Sequence, residues 1–212
     1  MISSTWRYPE DAWKWLTSII NARGDMVRDE NGGLCREVRN VGVTILNPLR
    51  GWPIPGSGWN VPALEEYAKQ LLKPEDSGFD YTYGRRLRQY PISWWKMDNG
   101  RYMSKHDIEQ DQLKAVISRL RHSPSTRRAV AITWIPEVDN VNENVPCLQL
   151  LDFLLRDGKL SLTAFFRSWD CGRAAPANMY GLGKMLSYVA GGIWVRVGSL
   201  TIMAASCQEY EA

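Results

Sequence analysis

Long apolar runs are missing from this sequence. The longest, such as Leu148 to Leu155, is broken by Asp152 and falls short of the roughly 20 residues that a bilayer-crossing helix needs, so no membrane segment is expected. Cysteine pairing signals are missing too. Cys35, Cys147, Cys171 and Cys207 are widely spaced, contain no CxxC pair and follow no secretory apolar segment. That pattern argues against a disulfide framework or a zinc site, and for a reducing cytoplasm. Charge of one sign is scarce: 26 basic and 23 acidic residues are mixed along the chain and leave a net charge of +3. No dedicated nucleic-acid tail fits that balance, but a local anion pocket for a small anionic substrate does. There is no repeat of fixed period and no low-complexity segment.

What is present is enough apolar material for one substantial core. The 212 residues are 44% hydrophobic and include ten tryptophans, which predicts a single domain over 1–212. Ala12, Trp13, Trp15, Leu16, Ile19 and Ile20 recur with the 3.6-residue period, so a helix is expected from Pro9 to Ala22, ended by Gly24. Val38 to Leu46 alternates as a strand, Asn47 to Pro62 reads as a surface loop, and Pro62 to Leu72 resumes helical spacing. Asp107 to Arg121 is expected as a helix, with Ile108, Leu113, Val116, Ile117 and Leu120 on one face and Ser123-Pro124 as its stop. Ala129 to Trp134, Leu148 to Leu155 and Leu160 to Phe166 read as strands, the last two joined through an Asp157-Gly158 turn. A helix over Asn178 to Val189 and a strand over Ser199 to Ala205 follow. Without strict βαβ alternation, the class expected is α+β around a mixed β-sheet.

The chemistry concentrates in Val145-Pro146-Cys147-Leu148-Gln149, in Arg167-Ser168-Trp169-Asp170 about twenty residues later, and in Pro176-Ala177-Asn178. Together they offer a thiol, a cation, a carboxylate and an amide, the equipment for adding a thiolate to an electron-poor ring. A cysteine attacks only as the thiolate, and arginine charge nearby is expected to lower its pKa. Taken singly, each residue has an ordinary explanation. A lone cysteine is more often a small core residue, an Arg127-Arg128 pair a solvated junction, Asn178 a helix N-cap, Asp170 a turn residue and Tyr83 a core tyrosine.

In order and spacing, however, these motifs resemble the thymidylate synthases and their nucleotide hydroxymethylase relatives. The resemblance runs through Tyr83-Gly84, Ser123-Pro124-Ser125-Thr126-Arg127-Arg128, Trp134-Ile135-Pro136, Pro146-Cys147, Arg167-Ser168-x-Asp170 and Pro176-x-Asn178. It covers about Tyr83 to Tyr210, and the short length is similar to the compact archaeal-type and phage members. It implies a homodimer packed through sheet faces, a pyrimidine nucleoside monophosphate as substrate, and 5,10-methylene-tetrahydrofolate or a related methylene-pterin as one-carbon donor. Cys147 would add to C6 of the ring. Arg167 and Ser168 would bind the 5′-phosphate, joined by Arg127 and Arg128 reaching across the dimer. Asn178 would read the pyrimidine edge, favouring uracil over cytosine. Asp170 would hold the pterin, Tyr83 would lie near the nucleophile, and Tyr210 would bond the sugar. Glu66, or its neighbour Glu65, would order protons at O4 of the base.

Some features depart from the family pattern. Gln208 stands where the family usually has histidine two residues before Tyr210, which is expected to alter affinity or tolerance for ribose. The sequence given ends two residues after Tyr210, without the long tail that closes over folate, which raises the hydroxymethylase alternative. The arginine of the N-terminal phosphate loop is assigned to Arg28 ahead of Arg36. An inactive nucleotide- or RNA-binding relative is a further alternative, opposed by the retained Cys147, paired arginines and Asn178.

Overall fold

The structure is a computed structural model that describes residues 1–74, 81–98 and 101–210, with the backbone alone for 94–98 and 101–107. In chain order the elements are β1 (Ile2–Trp6), α1 (Pro9–Arg23), β2 (Asp25–Arg28), β3 (Leu34–Ile45), α2 (Val61–Leu72), α3 (Tyr83–Arg88), β4 (Tyr90–Asp98), β5 (Arg101–Gln110), α4 (Gln112–His122), β6 (Val130–Ile132), α5 (Pro136–Asp139), β7 (Leu148–Arg156), β8 (Lys159–Asp170), α6 (Ala175–Gly192) and β9 (Arg196–Tyr210). The main sheet runs β1-β3-β9-β8-β7-β6, with β2 added beside β3, while β4 and β5 form a separate hairpin. β1 lies parallel to β3 and β8 parallel to β9, and the other pairs are antiparallel. The fold is therefore α+β around a mixed sheet flanked by helices.

Period-two sequence makes β8: Leu160, Leu162, Ala164 and Phe166 are buried, while Ser161, Thr163 and Phe165 between them are only half-buried. Helix α6 packs on β8 and β9 on one side and against α1, α2 and α4 on others, so it is apolar all round rather than striped. Each fully buried leucine there, such as Leu182 or Leu186, contributes roughly 1.5–3 kcal/mol. Between β7 and β8 the turn is of type I′, with Asp157 at φ 49° and Gly158 at φ 68°, as the Asp-Gly pair predicts.

Several expectations need correction. Helix α4 begins at Gln112, because the Asp111 side chain accepts from the Lys114 amide at 3.0 Å and caps it there. Residues 107–110 instead belong to β5, where Ile108 pairs with Ile92 and is exposed. The apolar period that seemed to extend the helix was the end of a hairpin. Strands β1, β2, β4 and β5 were not anticipated, and the strand expected over Ala129 to Trp134 covers only Val130–Ile132. Gly24 does end α1, but in extended backbone, φ −75° and ψ 135°, rather than left-handed. A Cβ there would sit 2.5 Å from the Ile20 carbonyl oxygen. Cys171 and Cys207, 36 residues apart, are joined in a disulfide, contrary to the expectation drawn from their spacing. Trp169 on β8 pairs with Cys207 on β9, so sheet register rather than sequence brings the sulfurs together.

Candidate active site

The C-terminal ends of β8 and β9 open into a cavity of about 630 Å³, walled by the 29–33 loop after β2, by Tyr67 of α2, Tyr83 of α3 and the start of α6. A larger groove of about 830 Å³ between α4 and the end of α6 is lined by Lys114, Ser118, Arg121, His122 and Tyr188 and has no cysteine among its described lining residues. Cys147, Arg167, Asp170 and Asn178 line the first cavity.

Cys147 lies immediately before β7, where its carbonyl accepts from the Arg167 amide at 2.9 Å and extends the β7–β8 pairing by one step. The Arg167 guanidinium then folds over the same segment. Its Nε donates to the Pro146 carbonyl at 3.1 Å and one terminal nitrogen to the Val145 carbonyl at 3.1 Å, leaving further N–H groups for a ligand. Burial pushes the Cys147 thiol above its ordinary pKa; Arg167 pulls it down, while Glu30 and Asp170 add to the rise. The sequence-based expectation of a lowered thiol pKa is therefore overturned. Desolvation outweighs the Arg167 charge.

Tyr83 approaches from the other side. Thr82 caps its short helix by accepting from the Arg85 amide at 3.1 Å, and Gly84 allows α3 to press against the end of α2, since a Cβ would collide with the Lys73 and Gln70 carbonyl oxygens. The Tyr83 hydroxyl accepts from the Leu148 amide at 3.1 Å, one residue past the thiol. Burial holds this phenol well above the usual tyrosine range.

At the floor, Asn178 sits on the first turns of α6 and is not its N-cap, a position that Ala174 takes. The Trp169 indole N–H donates to Asn178 Oδ1 at 3.0 Å, and Asn178 Nδ2 donates to the Tyr67 hydroxyl. An indole can only donate, so the amide oxygen must face it and the orientation of Asn178 is fixed. Trp169 reaches inward because the two-residue alternation of β8 breaks at Arg167-Ser168, and its ring stacks on Phe166 at 5.7 Å.

The remaining wall is polar. Ser168 Oγ accepts from Gln208 Nε2 at 2.7 Å, and Ser206 donates to Glu37 beside them. Asp170 Oδ1 accepts from the Arg173 amide at 2.9 Å. Tyr210 donates to Asp29 at 2.9 Å, and burial together with that carboxylate pushes its phenol up to about 12. Arg28 lines the cavity and donates to the Gly32 carbonyl at 3.0 Å, stiffening the loop, whereas Arg36 is not among the lining residues.

Cys147, Tyr83, Arg167, Ser168, Asp170, Asn178, Gln208, Tyr210 and Arg28 are thus brought together. Others are not. Glu66 is exposed and pairs with Lys69 at 3.2 Å, while Glu65 pairs with Lys184 at 2.8 Å and accepts from Tyr180. Arg127 and Arg128 lie beyond α4, in a separate groove with Arg119 and His122. Sequence reasoning missed Tyr67 and Trp169. Tyr67 carried a usable signal, for it falls on the buried stripe Leu64, Ala68 and Leu71, which Glu66 does not.

With that geometry in hand, the family model described as thymidylate synthase matches residues 36–212. The chain belongs to the thymidylate synthase family. A Methanosarcina acetivorans protein described as "Putative thymidylate synthase" is 43% identical, across 95% of this chain and 86% of its own length. Proteins of the same description from Methanothermobacter thermautotrophicus and Methanopyrus kandleri are 38% and 35% identical, covering 95% and 97% of this chain and 90% and 91% of their own. Family membership makes the chain a one-carbon transferase of nucleotide biosynthesis, and no helix among the described residues is long and apolar enough to cross a membrane.

Proposed function

We propose that residues 1–212 act as one thymidylate synthase-like domain that methylates C5 of dUMP in the cytoplasm, using Cys147 as nucleophile. The observation that carries this reading is the single cavity in which thiol, guanidinium, fixed amide and carboxylate meet. Arg28, Arg167 and Ser168 bind the phosphate, and Gln208 and Tyr210 face the sugar. Bond formation between Cys147 Sγ and C6 shifts the C5=C6 electron pair toward C5 and O4, which makes C5 able to attack a one-carbon unit. Because the free thiol is held protonated by burial, loss of its proton accompanies substrate engagement rather than preceding it.

The donor set fits a methylene-tetrahydrofolate. Asp170 has one carboxylate oxygen engaged by the Arg173 amide, and its carboxylate lines the cavity as the kind of acceptor that a pterin's N–H groups need. When bound, that cofactor supplies the methylene carbon and the hydride that completes a methyl group. Arg127 and Arg128, remote from their own cavity, serve the partner subunit's phosphate in a homodimer.

Mass analysis of the nucleotide formed from dUMP and methylene-tetrahydrofolate tests the reading. A methyl product is expected; a hydroxymethyl product moves the chain to the hydroxymethylase branch. Cys147→Ser should abolish turnover while nucleotide binding persists, and retention of more than a trace of activity would rule out the covalent route.

A further inference from the structure

Addition of sulfur to C6 creates a charge that must be received. As the Sγ–C6 bond forms, the C5=C6 electron pair spreads onto C5 and O4, and the growing enolate oxygen needs donors aimed at it in advance. Helix α2 sends no carboxylate into the cavity: Glu66 and Glu65 are engaged outside it by Lys69 and Lys184. What it sends in is Tyr67. The ring is wedged between α6 and the loop before α2, with Trp59 at 5.9 Å and Gly181 close enough that a Cβ there would lie 3.2 Å from it.

The direction of each hydrogen bond decides what Tyr67 can do. Trp169 donates to Asn178 Oδ1, so Asn178 must present Nδ2 to Tyr67, and an amide nitrogen donates. The Tyr67 oxygen is therefore the acceptor in that pair, and its own proton is not spent there. No acceptor for that proton is found among the described residues. Burial, with further pressure from Tyr81 and Cys147, holds the phenol neutral, so the proton is retained across neutral pH.

We propose that Tyr67 is a catalytic residue whose hydroxyl, beside the second Nδ2 hydrogen of Asn178, donates to O4 of the pyrimidine and stabilises the enolate formed when Cys147 adds. This rests on the pyrimidine reading of the cavity. Two donors converging on position 4 also select a keto oxygen over the amino group of cytosine, which offers no lone pair to accept them.

Tyr67→Phe in the full chain is the test, read in two ways. In the vibrational spectrum of bound, carbonyl-labelled dUMP, the C4=O stretch should rise in the variant as a hydrogen bond is lost. In turnover, kcat should fall about 100- to 1000-fold, the loss usual for one oxyanion donor, with dUMP affinity changed far less. An unchanged stretch, or wild-type kcat, overturns the role of Tyr67 while leaving the pyrimidine site intact. Failure of the wild-type protein to bind dUMP overturns both. Should the phenylalanine variant not fold, ring-fluorinated tyrosine at position 67 decides: a more acidic phenol should lower the stretch further, and no movement overturns the proposal.

Discussion

Cys147 illustrates how one residue's surroundings set its chemistry. Cys147 is held above the ordinary cysteine value of 9.0, chiefly by burial, so its thiolate fraction at neutral pH is below that of the same cysteine in the unfolded chain. The sign follows directly. Reactivity toward a small alkylating reagent should be slow at pH 7 and climb as pH rises through and beyond about 9, and unfolding should accelerate it at pH 7. Peptide mapping of carbamidomethylated Cys147 against pH checks this, with buried Cys35 as internal comparison. A plateau already reached by pH 8 would show that Arg167 dominates after all. That Cys147 would share a site with Arg167, Asp170 and Asn178 was readable from the sequence motifs, but the balance between burial and charge was not, because burial depends on Tyr67, Tyr81 and Tyr83 arriving from elsewhere in the chain. Glu66 shows the same limit: its residue type suited the chemistry, while the helical stripe of α2 gave the inward position to Tyr67.

At the level of elements, the contact of α2 with α6 sets where the Tyr67 hydroxyl lies. Gly181 is the enabling residue. A Cβ there would meet Leu71 at 3.0 Å and the Tyr67 ring at 3.2 Å. Gly181→Ala gains roughly 1 kcal/mol of helix propensity and loses about 1–3 kcal/mol to crowding, so net destabilisation should be small. Activity should suffer more. A shift of a few tenths of an ångström at the ring, carried to the hydroxyl, is expected to cost at least about tenfold in kcat/KM while the melting temperature falls by only about 2–6 °C. A variant whose activity loss merely matches its loss of folded protein would show that Tyr67 position is unimportant. The elements themselves were legible where one period ran uninterrupted, as in α1, β8 and α6. They were illegible where a hairpin end abutted a helix start at Asp111, since Ile108 suits either period. β1 escaped notice because Ile2–Trp6 is short and alternates weakly, and it exists by pairing with Val41–Ile45 of β3.

For the whole molecule, the uncovered side of the sheet and the remote position of Arg127 and Arg128 point the same way. Between the buried residues of β7, β8 and β9 stand Leu150, Leu154, Thr163, Phe165, Thr201 and Met203, all half-buried, while Val130 and Ile132 on β6 are more than a third exposed. Asp152 on the same face keeps one oxygen out of water without a hydrogen-bond partner among the described residues, and burial raises its pKa. A second copy of the chain would cover that surface, as the homodimer proposal requires. Arg127 and Arg128, whose groove has no cysteine among its described lining residues, would then complete the neighbour's phosphate site rather than their own. Removing one should impair the site across the interface and spare the site in the same chain. Cys147→Ser and Arg127→Ala proteins, each inactive or strongly impaired alone, should therefore recover activity when mixed under conditions that exchange subunits. Hybrid dimers at a one-to-one ratio would make up half of the population by random pairing, each with one intact site. Recovery should approach about a quarter of wild-type activity per subunit. Absence of recovery, with exchange confirmed by native mass spectrometry, would place Arg127 outside the phosphate site and leave Arg28, Arg167 and Ser168 to bind the substrate within one chain.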